Sequence, residues 1–331
     1  MTDPMPPDYP DRARTGLCWR ALTPADVEAW YALVRRMAEA DQPVWSETRE
    51  DLAEYLSSPA NDPALTTVAG FDGAGTLRAA GRVSARPGSA VAHTWGGVDP
   101  AWRRRGIGRA VYRWQRDCQH RRFAAACISG GVLRTMAEER AQPHNALLRA
   151  AGAGVVRYFT EMTRPLSQPI PDLPLPAGFV FATLDPEDSE PVRLAHNEAF
   201  AGHWGSEPRD PARWDFTVRH PQLVPAWSMS VLDTTTGETV AYQLASFDPE
   251  YRLQSGYDEG FTDLLGVRPA WRGRGLASSL LAEAMRRFKA GGMAHAGLGV
   301  DTENASGALA LYQRMGYTPT IRSRAWDFPL G

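Results

Sequence analysis

Lysine, cysteine and long apolar runs are scarce in this 331-residue sequence. Lys289 is the only lysine among 36 basic residues, and 38 acidic residues bring the formal net charge to −2. A charge so close to neutral gives no reason to expect a nucleic-acid partner. No run of about 18 consecutive apolar residues occurs, so the sequence predicts no transmembrane helix and no membrane partner.

The cysteines exclude two further classes of protein. Cys18, Cys118 and Cys127 are odd in number and follow neither a CxxC spacing nor a Cys/His metal-ligand spacing. We therefore expect free thiols in a reducing compartment, with no disulfide framework and no metal. The first 14 residues lack the apolar segment of a signal peptide. These features predict a soluble, cytoplasmic protein.

Length and proline distribution indicate two domains. A chain of 331 residues exceeds what one hydrophobic core usually organises. Between 165 and 178, five prolines fix φ and remove backbone donors, which favours an extended linker over 167–177. The sequence therefore predicts an N-terminal domain over 16–166 and a C-terminal domain over 178–330.

The two sides of that linker repeat one another. Val98–Gly108 reads VDPAWRRRGIG, and Val267–Ala277 reads VRPAWRGRGLA. Each copy follows a strand-like run and precedes an amphipathic helix pattern, and a hairpin pattern lies upstream of each. This order predicts two domains of one α/β (α+β) fold, each with a mixed sheet.

The repeated turn has the composition of a phosphate-binding site. In the second copy, Arg272-Gly-Arg-Gly275-Leu-Ala277 leads into a helix start, where backbone N–H groups lack internal partners and the dipole favours anions. No Gly-Lys-Ser/Thr occurs, so a Walker motif is excluded. The dinucleotide fingerprint is incomplete, because Ser278 and Val111 stand at its third glycine. One copy alone would leave an ordinary strand-to-helix turn as the alternative.

Both copies resemble the coenzyme A motif of the GNAT-type N-acetyltransferases, Gln/Arg-x-x-Gly-x-Gly/Ala. They read Arg103-x-x-Gly106-x-Gly108 and Arg272-x-x-Gly275-x-Ala277. In the second half, Asn304 followed by Tyr312 and Gly316 is similar to the family's ending, Asn…Tyr-x-x-x-Gly-Phe/Tyr. The doubled arrangement resembles tandem acetyltransferases of the mycothiol synthase type. The resemblance implies two tandem GNAT domains, each with a mostly antiparallel sheet flanked by helices.

The resemblance also implies acetyl-CoA as co-substrate, without a metal. The strand before the turn would hold the acetyl carbonyl and the pantetheine arm, and the N–H groups of the turn would hold the diphosphate. The implied cofactor-binding residues are Leu265, Gly266, Val267, Arg272, Gly273, Arg274, Gly275, Leu276, Ala277, Ser278 and Asn304, with Val98, Arg103, Arg104, Gly106 and Gly108 in the first half.

Direct transfer requires a base for the acceptor ammonium and an acid for the departing thiolate. The resemblance implies that Tyr312 is the acid; the alternative is a half-buried tyrosine that only packs. For the base, the period of two places Glu259 and Asp263 on one strand face with Leu265 and Val267. Either carboxylate can accept the proton, and for each the alternative is a solvated or ion-paired side chain.

The acceptor is expected to be a primary amine of a small molecule. Residues 197–204 occupy the position of the family's acceptor-side helix and loop, so the resemblance implies a pocket lined by Glu198, Phe200, His203 and Trp204. A lone histidine is, however, more often structural. The protein is expected to act as a monomer or homodimer.

The first half departs from the pattern. Thr94 stands where the second half has Asp263, and Leu148 stands where it has Tyr312. We therefore expect the N-terminal domain to be non-catalytic, and an N-acetyltransferase site in the C-terminal domain. The alternative is a tandem protein that binds or senses acyl-CoA without turnover.

Overall fold

The computed structural model describes residues 5–58, 61–303 and 307–331. The chain forms two compact units. The first comprises Met1–Tyr158 with Ser323–Gly331, and the second comprises Phe159–Arg322.

The first unit contains a sheet with helices on its faces. Its strands are β1 (Cys18–Arg20), β2 (Thr67–Phe71), β3 (Leu77–Ser84), β4 (Val91–Val98) and β5 (Val132–Glu138). Its helices are α1 (Arg12–Thr15), α2 (Val27–Asp41), α3 (Arg49–Ser57), α4 (Pro63–Thr66), α5 (Ile107–Ala125) and α6 (Gln142–Ala151).

The second unit follows the same plan. The strand β6 (Gly154–Pro165) leads into it, followed by β7 (Phe179–Thr183), β8 (Met229–Asp233), β9 (Thr239–Phe247), β10 (Glu259–Val267), β11 (His295–Asp301) and β12 (Thr318–Pro329). Its helices are α7 (Glu190–Ala199), α8 (Pro211–Val218), α9 (Arg252–Ser255), α10 (Leu276–Ala290) and α11 (Ala308–Arg314).

The two sheets share one topology. In the first, β1 to β4 pair antiparallel in chain order, β4 pairs parallel with β5, and β5 pairs antiparallel with the end of β12. In the second, β7 to β10 pair antiparallel, β10 pairs parallel with β11, and β11 pairs antiparallel with β6. Each is a mixed, mostly antiparallel sheet flanked by helices, which confirms the predicted fold class.

The last strand of each sheet comes from the other half of the chain. Residues 159–165 of β6 pair with β11, and residues 323–329 of β12 pair with β5. The compact units therefore differ from the domain boundaries predicted at 166 and 178. The predicted linker packs on the second unit, where Ile170, Leu173 and Leu175 contact its core.

An ion pair secures the exchanged strand in the first unit. Arg134 of β5 donates to both carboxylate oxygens of Asp327 at 2.8 and 2.7 Å, and only 8% and 13% of these side chains are exposed. Because Asp327→Ala leaves a buried guanidinium without that carboxylate, we expect it to lower the free energy of unfolding by about 3 kcal/mol. Urea denaturation measures this. Glu187→Ala, which breaks an exposed pair with Arg219, should lower the free energy of unfolding much less, because solvent screens an exposed pair. Equal losses in the two variants would contradict the assignment.

The side chains of β9 show which helices pack on each face of the sheet of the second unit. Val240, Ala241 and Ala245 pack in the core with α10, whereas Tyr242 and Leu244 pack in the core with α7 and α8. Here these are called the α10 face and the α7 face. They are the reference for the side chains described below.

Candidate active site

The sheet of the second unit opens beside β10. The parallel pairing of β10 with β11 joins Glu259–Thr262 to His295–Leu298 and does not continue beyond Thr262. The rest of β10, as far as Val267, stays paired with β9. The backbone of β10 is therefore available on one edge from Asp263 onward.

A β-bulge lies at this opening. Thr262 pairs with Ala245 and Leu264 with Leu244, so Asp263 is the extra residue. A bulge of this kind redirects a side chain and raises the local twist. In the first unit the equivalent strands β3 and β4 pair without interruption. The bulge therefore distinguishes the second unit from the first at Asp263, one of the two predicted bases.

The bulge makes one sequence prediction wrong. Leu265 and Val267 pack against the α10 core, whereas Leu264 packs with the α7 core. Asp263 also lies on the α7 face, because it accepts a hydrogen bond from Ser246, whose partner across the strands is Phe261. The strict period of two fails because the inserted residue reverses the alternation.

The second candidate base lies on the α7 face too. A side chain at Gly260 would overlap the Phe288 ring of α10, so Gly260 faces α10 and its neighbour Glu259 faces away. Glu259 therefore shares the face of Asp263, as the sequence predicts. It does not share the face of Leu265.

Asp263 has the surroundings of a general base. The Oγ of Ser246 donates to its Oδ1 at 2.9 Å. Asp263 is exposed, yet desolvation by the neighbouring protein atoms raises the pKa of Asp263 to about 7, against the opposing effects of Ser246, His220 and Arg209. Near neutral pH such a carboxyl group can take up and release a proton.

Glu259 is more enclosed than Asp263. It is 7% exposed, and the Oγ1 of Thr163 donates to its Oε2 at 2.6 Å. Burial, helped by the nearby Glu161, raises the pKa of Glu259 to about 7 despite that hydrogen bond. Of the two carboxylates, Asp263 is therefore the better candidate for the base, because it is exposed to an incoming acceptor.

Tyr312 has the properties of a proton donor. It lies on α11, is 9% exposed, and its ring meets that of Tyr317 edge to face at 6.2 Å. Burial raises the pKa of Tyr312 to about 12, so the phenol keeps its proton at neutral pH. No hydrogen bond joins its hydroxyl to another residue in the described part of the chain. The proton is therefore available to a ligand.

The glycine turn has the geometry of an anion cradle. Gly273 and Gly275 have φ of 76° and 83°, values that L side chains rarely adopt. Among the described residues, none of the backbone N–H groups from Gly273 to Ser278 finds an acceptor. The Arg272 side chain instead donates to the carbonyls of Val267 and Ala199, at 3.1 and 2.7 Å. The Arg272 guanidinium therefore holds the turn against neighbouring backbone. The six consecutive unpaired N–H groups can bind an anion.

The turn of the first unit is similar but more strained. Gly106 has φ of 79°, but Arg104 occupies the left-handed position that Gly273 holds in the second unit, with φ of 65°. Arg103 donates to the carbonyl of Val98 and pairs with Asp41. Beside Gly106 a cavity of about 270 Å³ is lined by Arg14, Thr15, Arg105, Arg109, Ala110 and Arg113. Gly108 lies in the first turn of α5.

The four predicted acceptor residues have different contacts. Glu198 forms an ion pair with Arg268 at 2.6 Å. Phe200 lies 5.3 Å from the ring of His203, whereas Trp204 lies 6.1 Å from Phe159 of β6. The predicted cofactor residue Asn304 lies outside the described residues.

Sequence reasoning missed a buried pair beneath β10. The Nδ1 of His196 and the hydroxyl of Tyr242 are 2.5 Å apart, and burial lowers the pKa of His196 to about 4. The Tyr242 ring lies against Gly266, where a side chain would overlap it. The pair therefore supports the backbone of β10 beside the turn. Its only signal in the sequence was a glycine on a strand, which indicates a close approach.

The comparisons with known proteins agree with this geometry. A model of the Acetyltransferase (GNAT) family matches residues 189–317. A mycothiol acetyltransferase of Streptomyces bingchenggensis is 30% identical over 231 residues, 67% of this chain and 67% of that protein. A GCN5-related N-acetyltransferase from Sphaerobacter thermophilus has a TM-score of 0.71 at 25% identity, covering 98% of this chain and 97% of its own. A tandem GNAT protein from the clavulanic acid biosynthesis pathway, at 20% identity, has a TM-score of 0.70 and covers 95% and 99%.

The fold and these relatives together define the class of protein, which is an N-acetyltransferase built as a tandem of two similar units. The chain belongs to the GNAT acetyltransferase family, whose members use acetyl-CoA. Among the described residues no cluster of three or more His, Cys, Asp or Glu could hold a metal. In the same part of the chain, every helix is too short or too polar to cross a membrane.

Proposed function

We propose that the second unit transfers an acetyl group from acetyl-CoA to a primary amine of a small molecule by direct attack. The observation that carries the proposal is the bulge, which places Asp263 where β10 parts from β11. The unpaired N–H groups of the turn begin at Gly273, six residues after Val267, the last residue of β10. The relatives named mycothiol acetyltransferase support a small-molecule acceptor.

Each step of the transfer has a candidate residue. Asp263 takes a proton from the acceptor ammonium, and the neutral amine attacks the thioester carbonyl. As the C–N bond forms and the C–S bond breaks, Tyr312 donates its proton to the thiolate. The nitrogen loses its second proton as the amide forms, and that proton returns to the Tyr312 oxygen. Backbone N–H groups of β10 near Leu265 polarise the carbonyl, which stabilises the negative charge that develops on its oxygen.

The first unit supports a different role. It lacks the bulge, and Leu148, fully buried in its core, stands where the second unit has Tyr312. The hydroxyl of Thr94 is already bonded to the carbonyl of Arg82. We therefore propose that the first unit is non-catalytic. Release of free thiol from acetyl-CoA with a panel of amines tests the enzyme hypothesis, and binding without release would favour an acyl-CoA sensor.

Replacing the glycine of each turn tests which one holds the catalytic acetyl-CoA. Gly275→Val places a side chain over the unpaired N–H groups, and it puts a valine at a left-handed backbone position. The added Cβ itself meets open space, because no protein atom lies within 4 Å of it. We expect acetyl-CoA binding to weaken at least tenfold, about 1.4 kcal/mol, by titration calorimetry. The matched Gly106→Val should leave turnover running. Turnover lost through Gly106 and kept in Gly275→Val would place the active site in the first unit.

A further inference from the structure

The second unit carries carboxylates on its α7 face that acetyl transfer itself does not require. The strand β11 runs between β10 and β6 and has Gly297 and Gly299 on this face. A side chain at Gly297 would overlap the carboxylate of Glu259, and one at Gly299 would lie 3.1 Å from that of Glu161. The two glycines therefore leave room for carboxylates from both neighbouring strands. Below, Glu161, Thr163, Glu259, Gly297 and Gly299 are called the acidic groove.

Glu259 is the informative member of the groove. Although it is more than nine-tenths buried, only its Oε2 is bonded, to Thr163. Its Oε1 lies over Gly297 and has no partner among the described residues, and no described cation forms an ion pair with Glu259. A buried carboxylate is costly unless a cation or several donors compensate it. A positively charged group in the groove would supply that compensation.

Three aromatic side chains lie in the neighbourhood of Glu259. His295 is opposite Glu259 in the register of β10 and β11, and Tyr257 stacks on it with ring centroids 3.7 Å apart. The ring of Tyr251 lies 6.5 Å from that of Tyr257. Burial raises the pKa of Tyr251, and the charges of Glu259 and Glu161 add to that rise. Rings beside carboxylates favour an organic ammonium, which interacts with both.

The groove is connected to the reacting centre by one strand. Glu259 precedes Asp263 by four residues on β10, a separation of about 13 Å along an extended strand, and both face α7. We propose that the acidic groove binds a second ammonium group of the acceptor, so that the preferred acceptor is a small diammonium compound with its amines roughly 10 Å apart. This inference rests on the proposed function, with Asp263 receiving the amine that is acetylated.

Two acceptors of equal length test the proposed role of the acidic groove in assays of the full-length protein. With acetyl-CoA as donor, kcat/KM is measured for 1,8-diaminooctane and for 8-aminooctan-1-ol, which lacks the second charge. We expect the diamine to be preferred by about tenfold or more, the scale of one charge-assisted pair. Glu259→Gln should bring that ratio close to one, and Glu161→Gln should lower it as a second variant. Glu187→Gln, which removes an exposed carboxylate paired with Arg219, should keep it.

The outcomes separate this inference from the proposed function. A diamine preference that survives Glu259→Gln overturns the groove assignment. Equal losses for both acceptors would instead identify Glu259 as the base. If no amine is acetylated, calorimetry with CoA present decides: tighter, Glu259-dependent binding of the diamine supports the groove although the transfer fails, and equal binding of the two compounds overturns it.

Discussion

Tyr312→Phe is expected to lower kcat by about 10²-fold or more, the usual scale for a general acid, while acetyl-CoA binding stays nearly unchanged. The substitution keeps the ring and its contact with Tyr317 and removes only the hydroxyl, for which no described residue is a partner. Because the proton is needed only as the thiolate departs, the loss belongs to the transition state. Steady-state kinetics together with acetyl-CoA titration measure both quantities.

Tyr317→Phe is the matched control. Tyr317 is 2% exposed, lies in the same core, and its buried hydroxyl also has no partner. Its removal should leave kcat within about twofold. Similar losses in both variants would show that the effect is one of packing, and the assignment of Tyr312 as the acid would then fail.

The fold was accessible to sequence reasoning because it depends on local signals that occur twice. Two copies of one turn, each between a strand pattern and a helix pattern, were enough to predict two units of one α/β class. The exchange of the last strands was not accessible. Strand propensity shows that 159–165 and 323–329 are extended, but it does not show which sheet each one completes.

The candidate site was predicted unevenly. The turn around Gly275 could be predicted because its chemistry lies in a continuous segment. The prediction that Leu265 and Val267 share a strand face with Glu259 and Asp263 was wrong, because the residue types along a strand do not show where a bulge inserts an extra residue. The support of β10 by His196 and Tyr242 depends on contacts across 46 residues. No local pattern contains such a contact.

Substitution of Asp263, the preferred candidate for the base over Glu259, is the second change that we expect to have a large effect on activity. Asp263→Asn should lower kcat/KM by about 10²-fold or more, because a base contributes on that scale. The pKa of Asp263 is raised to about 7, so wild-type activity should fall as the pH drops through 7 and the carboxylate takes up a proton. In Asp263→Asn that acidic limb should disappear. The folded-state pKa exceeds the usual unfolded value, so the ionised carboxylate opposes folding above pH 7 and the variant should be no less stable there.

Ser246→Ala makes the assignment specific to one carboxylate. The Ser246 hydroxyl donates to Asp263 and lowers its pKa, whereas Glu259 has its hydrogen bond from Thr163. Because removing the Ser246 donor destabilises the ionised form of Asp263, the acidic limb of the pH profile should move to higher pH with little change in activity at its plateau. The matched variant Thr163→Val removes the donor of Glu259 and should leave the limb in place. A limb that moves in Thr163→Val and stays in Ser246→Ala would transfer the role of base to Glu259.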